Sequence, residues 1–385
     1  LDSSFSNAHY RLLMPAFCKA RRAILAAIIT AIFCWLYLPM SAVAAGTPRH
    51  VFVVMLENEN YAATFGPNSA TPYLAQTLPS QGALLTQYYG IGHNSLTNYI
   101  ALTSGQAPNP QTQGDCQIYS DWQGGTQLDA NGQLFLGSGC VLPTTALSIA
   151  NQMQAAGISW KAYTEDMGND LNRDGSSTCA HPVLNTQDST QKASATDSYA
   201  ARHNPFMYYH AVIDDVIDCN AKVVNLKQLD ADLASAATTP AFSLIIPNLC
   251  NDGHDQPCAD GRPGGLPQVD SFLRDIVPKI TGSAAFKKDG LLLILFDEAS
   301  TQDASACCNE IPGPLSPLPG IVGMGGGRIG AVLLSPFIKP GTISDVPYNH
   351  YSTLRSVEDF FHLPYLGFAG AAGMQSFGSD VFSQR

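Results

Sequence analysis

Three stretches of the chain are apolar at nearly every position and stop abruptly on polar residues. His50-Val51-Phe52-Val53-Val54-Met55-Leu56 ends at Glu57-Asn58-Glu59-Asn60. Phe242-Ser243-Leu244-Ile245-Ile246 runs into Pro247-Asn248-Leu249-Cys250-Asn251-Asp252-Gly253-His254-Asp255, and Leu291 to Phe296 closes on Asp297-Glu298. Short runs without alternation read as strands covered on both faces, the habit of parallel sheets. Between them the period changes: Val269, Phe272, Leu273, Ile276, Val277 and Ile280 recur at helical spacing and predict a helix over Leu266 to Ile280. Shorter helices are predicted over Thr71 to Gly82, Thr144 to Ala156, Leu226 to Ala237 and Ser352 to Phe361. Further strands are predicted over Leu84 to Tyr89, Ile158 to Tyr163 and Ile329 to Leu334, with a turn at Tyr348 to Tyr351. Strands alternating with helices imply an α/β fold, a three-layer α/β/α sandwich on a central, mostly parallel sheet. In such a sheet the carboxyl ends of the strands share one edge, where ligands bind.

One stretch joins polar groups to a helical pattern: His93-Asn94-Ser95-Leu96-Thr97-Asn98-Tyr99 through Gly105. Gly90 and Gly92 precede it and allow a sharp turn. Tyr99, Leu102 and Thr103 recur at helical spacing, so Ser95 stands where a loop enters a helix, beside unpaired N–H groups that suit an anion. A helix cap and a nucleophile share this context, and the local sequence alone favours the cap. Three other regions, 107–143, 169–198 and 299–327, have little periodicity and read as loop insertions, the first tied by Cys116 and Cys140. Asp170, Asn172 and Asp174 begin like a calcium loop, but His181 stands where a bidentate Glu is required.

Composition narrows the setting. Arg21-Arg22, the apolar run Ala23 to Leu38 and Ala42-Val43-Ala44 form a secretory signal cleaved near Ala45, with Met14 as its more ordinary start, leaving residues 46–385 as a single catalytic domain. The run is short for a spanning helix, and no stable membrane insertion is expected after cleavage; an uncleaved anchor is the alternative, because Trp35 to Leu38 extend the run. Without the signal the chain keeps 16 basic and 30 acidic residues, a net charge of −14. That field disfavours nucleic acid as a partner and leaves any phosphate ester in need of a local cation. Eight cysteines remain, with no C-x-x-C pair, which points to disulfides in a secreted or periplasmic protein.

The chemistry is concentrated at the strand ends. Glu57-Asn58, Asp252 with His254, and Asp297-Glu298 would meet at one sheet edge, where such carboxylates repel one another unless a divalent cation or protons lie between them. Glu-Asn after the first strand, His93-x-Ser95-x-x-Asn98-Tyr99, His203-Asn204-Pro205, Asn248-x-x-Asn251-Asp252-Gly253-His254-Asp255 and the late Asp297-Glu298 together resemble the phosphoesterase family of acid phosphatases and phospholipases C, within the alkaline phosphatase superfamily. The resemblance runs from about Val51 to Phe361. It implies one divalent metal ion held by Glu57, Asn58, Asp297, Glu298 and the hydroxyl of Ser95, the nucleophile. His93, His203 and His254 would contact the phosphoryl group or protonate the leaving oxygen, and Asn98 would donate to a phosphoryl oxygen. Asp252, His350 and Lys161 are further candidates at the site. The substrate implied is a phosphate ester, including a phosphoinositide or another phospholipid head group. The layout most resembles small secreted phosphatases acting on phosphatidylinositol 3-phosphate. A phospholipase C and an inactive secreted binding protein are the alternatives. A sulfatase would need Pro and Arg after the nucleophile, and a Ser-His-Asp esterase would need Gly-x-Ser-x-Gly; the sequence has neither.

Overall fold

The computed structural model describes residues 46–382, which lie within one compact unit. The expected signal peptide, residues 1–45, falls outside the described residues.

Twelve strands are formed among the described residues: β1 (His50–Leu56), β2 (Ala83–Leu85), β3 (Tyr88–Tyr89), β4 (Gln123–Gly124), β5 (Gly137–Ser138), β6 (Trp160–Thr164), β7 (Val223–Asn225), β8 (Phe242–Ile246), β9 (Gly290–Phe296), β10 (Ala331–Leu334), β11 (Thr342–Ser344) and β12 (Tyr348–Asn349). Eight of them build the central sheet in the order β11-β2-β10-β9-β1-β8-β6-β7. Only β10 runs against its neighbours; the other pairings in this sheet are parallel. β1 lies between β8 and β9, in register with β9 from His50↔Gly290 to Leu56↔Phe296. All three strands are buried almost throughout, which is why their sequences show no polar alternation.

Helices cover both faces of the sheet. Trp160 of β6 turns to Phe206, in a segment packed on the helix Ser95–Ser104, whereas Lys161 and Tyr163 point the other way and reach Asp232. On that second side lies the amphipathic helix Gly265–Gly282, whose Lys279 pairs with Asp230.

The sequence expectations for β1 and β8 hold to the residue, and those for β9 and the 265–282 helix within two. Others need correction. Leu84 to Tyr89 is two strands: the chain leaves the main sheet after β2, and β3 pairs with β12 instead. Tyr348 to Tyr351 is therefore no free turn. Tyr348 and Asn349 form β12, and Asn349 caps the helix His350–Phe361 by accepting from the N–H of Ser352 at 2.9 Å. The β3–β12 pairing carries His350 to the turn that precedes Ser95. The short edge strands β7 and β11, and the hairpin β4–β5 inside the 107–143 insertion, carry too few residues to show a period. Asp170 caps a short helix, Leu171–Asp174, and Asp174 pairs with Arg173, so no calcium loop forms there.

Candidate active site

Because β1, β8 and β9 are parallel neighbours, their carboxyl ends deliver Glu57, Asp252 and Asp297 side by side. The Glu57 N–H donates to the carbonyl of Asp252 at 2.9 Å, and the Asp297 N–H donates to that of Leu56 at 2.8 Å. Asn58 follows in the left-handed region, φ 59°, which Asn tolerates. Its N–H donates to Asp297 Oδ1 at 2.9 Å and its side-chain amide to Glu57 Oε2 at 2.9 Å. Glu57, Asp252 and Asp297 are fully buried and Glu298 nearly so.

Ser95 is the first residue of its helix, with Asn94 in the capping position, so the cap reading does not describe it. Its hydroxyl donates to Glu57 Oε2 at 2.6 Å, across 38 residues of sequence. The turn that aims it is held by Asn98, whose Oδ1 accepts from the N–H groups of Ile91 at 2.8 Å and Gly92 at 3.1 Å, while its amide donates to the Gly92 carbonyl at 2.9 Å. Asn98 thus spends its amide on the backbone of the turn and fixes its shape. The glycines of this turn are required by close approach more than by their dihedrals. A Cβ on Gly90 would lie 2.8 Å from the Asp297 carbonyl oxygen, and one on Gly92 would lie 2.5 Å from that of Pro319.

Tyr99, one turn into the helix, donates its hydroxyl to Glu57 Oε1 at 2.8 Å and stacks on the His203 ring, centroids 5.4 Å apart. His203 is buried between two acids: Nδ1 is 3.1 Å from Asp252 Oδ2, and Nε2 is 3.3 Å from Glu57 Oε1. The second contact is poorly aligned, and His203 Nε2 has no hydrogen-bond partner. Burial, helped by Arg202 and His254, pushes the His203 pKa well down, so the ring is held neutral. Burial first, then Asp297 and Asp252, raises the pKa of Glu57; burial also raises that of Asp252 and lifts Asp297 to about 7. Protons or a cation must offset so much buried acid.

The donor set fits a cation. Glu57, His203 and Asp252 present ligand atoms within 4.8 Å of one another, and the buried Asp297 Oδ2 has no hydrogen-bond partner. Hard oxygen donors at this density, one of them unsatisfied, suit a divalent ion.

The remaining expected residues fall into distinct places. His93 is sealed: Nδ1 meets Glu298 Oε2 at 2.5 Å, and Nε2 meets the Asp303 carbonyl at 3.2 Å. It orients Glu298 instead of facing a substrate. His350 donates from Nε2 to the Asp297 carbonyl at 2.6 Å, and burial lowers its pKa to about 4, so it too is a support. Lys161 is outside the site, paired with Asp232 at 2.6 Å on the far side of β6. His254 is the most accessible of the site imidazoles, its side chain 33% exposed. Its backbone N–H donates to Asp252 Oδ1, and its Nε2 accepts from Arg202 Nη2 at 3.1 Å.

Three residues of the site were not expected. Tyr99 stands in the sequence only as a helical position and the last residue of the His93-x-Ser95-x-x-Asn98-Tyr99 motif, with no role attached to it. Arg202, 3% exposed, brings a buried guanidinium to His254 Nε2, and its position just before His203 is the available signal. Asp115, whose Oδ1 accepts from the Leu96 N–H at 3.0 Å, comes from the 107–143 insertion, where no periodicity marks it.

The Phosphoesterase family model matches residues 68–364. A probable acid phosphatase of Kluyveromyces lactis is 26% identical over 330 residues, 85% of this chain, which spans 62% of that protein's length. A phosphatidylinositol-3-phosphatase of Mycobacterium tuberculosis is 24% identical over 333 residues, 86% of this chain and 82% of its own length. Among solved structures, a protein of the alkaline phosphatase superfamily from Vibrio parahaemolyticus superposes with a TM-score of 0.49 at 13% identity, covering 88% of this chain and 73% of that one. With more than three quarters of its length matched by the family model, the chain belongs to the Phosphoesterase family.

Proposed function

We propose that the protein is a secreted, metal-dependent phosphoesterase that hydrolyses phosphate monoesters through a phosphoserine formed on Ser95. The observation that carries this reading is the Ser95 hydroxyl, at a helix N-terminus, bonded at 2.6 Å to a fully buried carboxylate. The names of the relatives, acid phosphatases and a phosphatidylinositol-3-phosphatase, support the substrate class. Four disulfides support an oxidising compartment.

Glu57 and Asp297 would hold the cation together with Asn58 and Ser95, Asp252 and His203 would present further donors beside Glu57, and Glu298 would stand behind them, fixed by His93. When bound, that ion lowers the pKa of the serine hydroxyl and draws charge from the phosphoryl oxygens. Ser95 attacks phosphorus, its proton passing to Glu57 Oε2, which already accepts it. The N–H groups of the first helical turn, including that of Leu96 once Asp115 yields it, and the Arg202 guanidinium stabilise the equatorial oxygens as charge builds on them. His254, the most exposed of these imidazoles, would hand a proton to the leaving oxygen from its doubly protonated ring, in which Nε2 no longer accepts from Arg202. Water then attacks the phosphoserine from the opposite side and regenerates Ser95.

The test is a comparison of phosphate release from simple phosphomonoesters and phosphatidylinositol 3-phosphate with phosphocholine release from phosphatidylcholine, before and after dialysis against a chelator. Monoester hydrolysis should dominate, vanish with the metal and return when a divalent cation is restored. Faster release of phosphocholine would move the protein to the phospholipase C reading, and activity indifferent to chelation would remove the metal.

A further inference from the structure

A carboxylate already faces two of the groups that the proposed reaction gives to phosphoryl oxygens. Asp115 reaches in from the 107–143 insertion, beside Cys116, which is bonded to Cys140. Its Oδ1 accepts from the N–H of Leu96, the residue after Ser95, at 3.0 Å. Its Oδ2 lies 3.9 Å from Arg202 Nε. One of these partners is an amide of the nucleophile's own turn. The other is a buried guanidinium whose remaining bonds go to the Gln191 carbonyl and to His254 Nε2, each at 3.1 Å. Both are groups that the proposed reaction assigns to phosphoryl oxygens.

The placement is enforced by the backbone. Asp115 and Cys116 are consecutive non-glycine residues in the left-handed region, φ 52° and 48°. The arrangement is pinned at three points: the Asp115 N–H donates to the Thr112 carbonyl at 3.1 Å, the Cys116 N–H to that of Gln111 at 2.9 Å, and Gln191 Nε2 to the Asp115 carbonyl at 2.9 Å. Uncommon dihedrals persist where the surroundings over-determine them, and they cluster at functional sites. The Asp115 side chain is nevertheless 17% exposed, so solvent reaches it, in contrast to the sealed acids behind Ser95.

We infer that Asp115 is an internal competitor for the phosphoryl position: an incoming phosphoryl group takes the Leu96 N–H and Arg202 from it, and its return helps expel inorganic phosphate. The inference rests on the reading of Ser95 as a phosphoesterase nucleophile. It makes Asp115 a specificity-determining residue that governs product affinity and takes no part in bond breaking. A purely supporting role, in which Asp115 holds Arg202 ready for substrate, predicts the opposite sign. Losing the support would weaken phosphate binding, whereas losing a competing anion strengthens it.

Calorimetric titration of inorganic phosphate into the metal-loaded protein separates the two. Asp115→Asn keeps an oxygen for the Leu96 N–H while removing the charge; Asp115→Ala removes both. Both variants should bind phosphate more tightly, by about tenfold if the charge opposition resembles that of other close pairs. Turnover should become more sensitive to added phosphate. Unchanged or weaker binding by folded Asp115→Asn overturns the inference while leaving the phosphoesterase reading intact. Failure of the unaltered protein to bind phosphate at all would instead remove that reading, and this inference with it.

Discussion

Glu57 is the residue on which the site converges, since it accepts from Ser95, Asn58 and Tyr99 and touches His203. One buried strand ending in an acid is unremarkable, but three that would meet at one sheet edge mark Glu57, Asp252 and Asp297 together, and this makes Glu57 legible. Residue type was a poorer guide where a side chain has two plausible uses. Asn98 has the donors to hold a phosphoryl oxygen, yet in this structure they point to the carbonyls of Gly92 and Asn94. Lys161 could have supplied a charge, but in a strand adjacent residues point to opposite faces, and its face meets Asp232 and the Tyr163 hydroxyl that shares it. Lys161→Met should therefore leave the KM for phosphate esters unchanged and lower stability by about 1 kcal/mol or less, as for other partly exposed pairs. Steady-state kinetics and denaturant melts check both halves. A rise in KM with stability intact would return Lys161 to the site.

At the scale of elements, the 95–104 helix supplies the nucleophile and the 350–361 helix braces it through His350. The second helix carries a pH-sensitive residue away from the chemistry. Glu358 is fully buried, its Oε1 accepts from the Leu366 N–H at 2.8 Å, and its Oε2 has no partner. Burial lifts its pKa from an ordinary 4.5 to about 8, so the folded protein keeps a proton that the unfolded chain gives up. Its contribution to stability is fully present below about 4.5 and is lost as pH rises towards about 8. His350 acts in the opposite sense: its pKa falls from 6.5 to about 4, so its neutral burial favours the fold above 6.5 and that advantage is lost as pH drops towards 4. Comparing wild type with Glu358→Gln cancels the histidine. The wild-type melting temperature should fall relative to that of the variant between pH 5 and pH 8, and parallel curves would show that Glu358 is ionised in the fold. None of this was visible in the sequence, where Glu358 sits in an ordinary amphipathic pattern and only the packing of Leu366 against it reveals the burial.

At the scale of the molecule, long apolar runs determined what could be read. β1, β8 and β9 declare themselves because both faces are covered, and from them follow the parallel core and the edge that holds the acids. The reversed direction of β10 and the split between β2 and β3 could not be read, since pairing direction depends on how loops return and leaves no mark on local composition. The disulfides show the same limit. Spacing suggested Cys116–Cys140, whereas Cys179–Cys219, Cys250–Cys258 and Cys307–Cys308 emerge only from the fold. Three lie within the insertions and the loop bearing Asp252, where little secondary structure stabilises the chain, and Cys179–Cys219 ties the 169–198 insertion to the helix Val216–Lys222. They fasten the segments that surround the site, including the one that presents Asp115. The net charge of −11 makes this local order matter, because a phosphate ester meets a repulsive field until it reaches Arg202 and the helix N-terminus.

The central claim, that Ser95 carries the phosphoryl group, is tested by quenching the metal-loaded enzyme in acid during turnover of a phosphomonoester and sequencing its peptides by mass spectrometry. The account predicts phosphate on Ser95, and in Ser95→Ala a folded protein without the adduct whose turnover is lower by several orders of magnitude. Phosphate trapped on a histidine instead, or near-native turnover by Ser95→Ala, would contradict it.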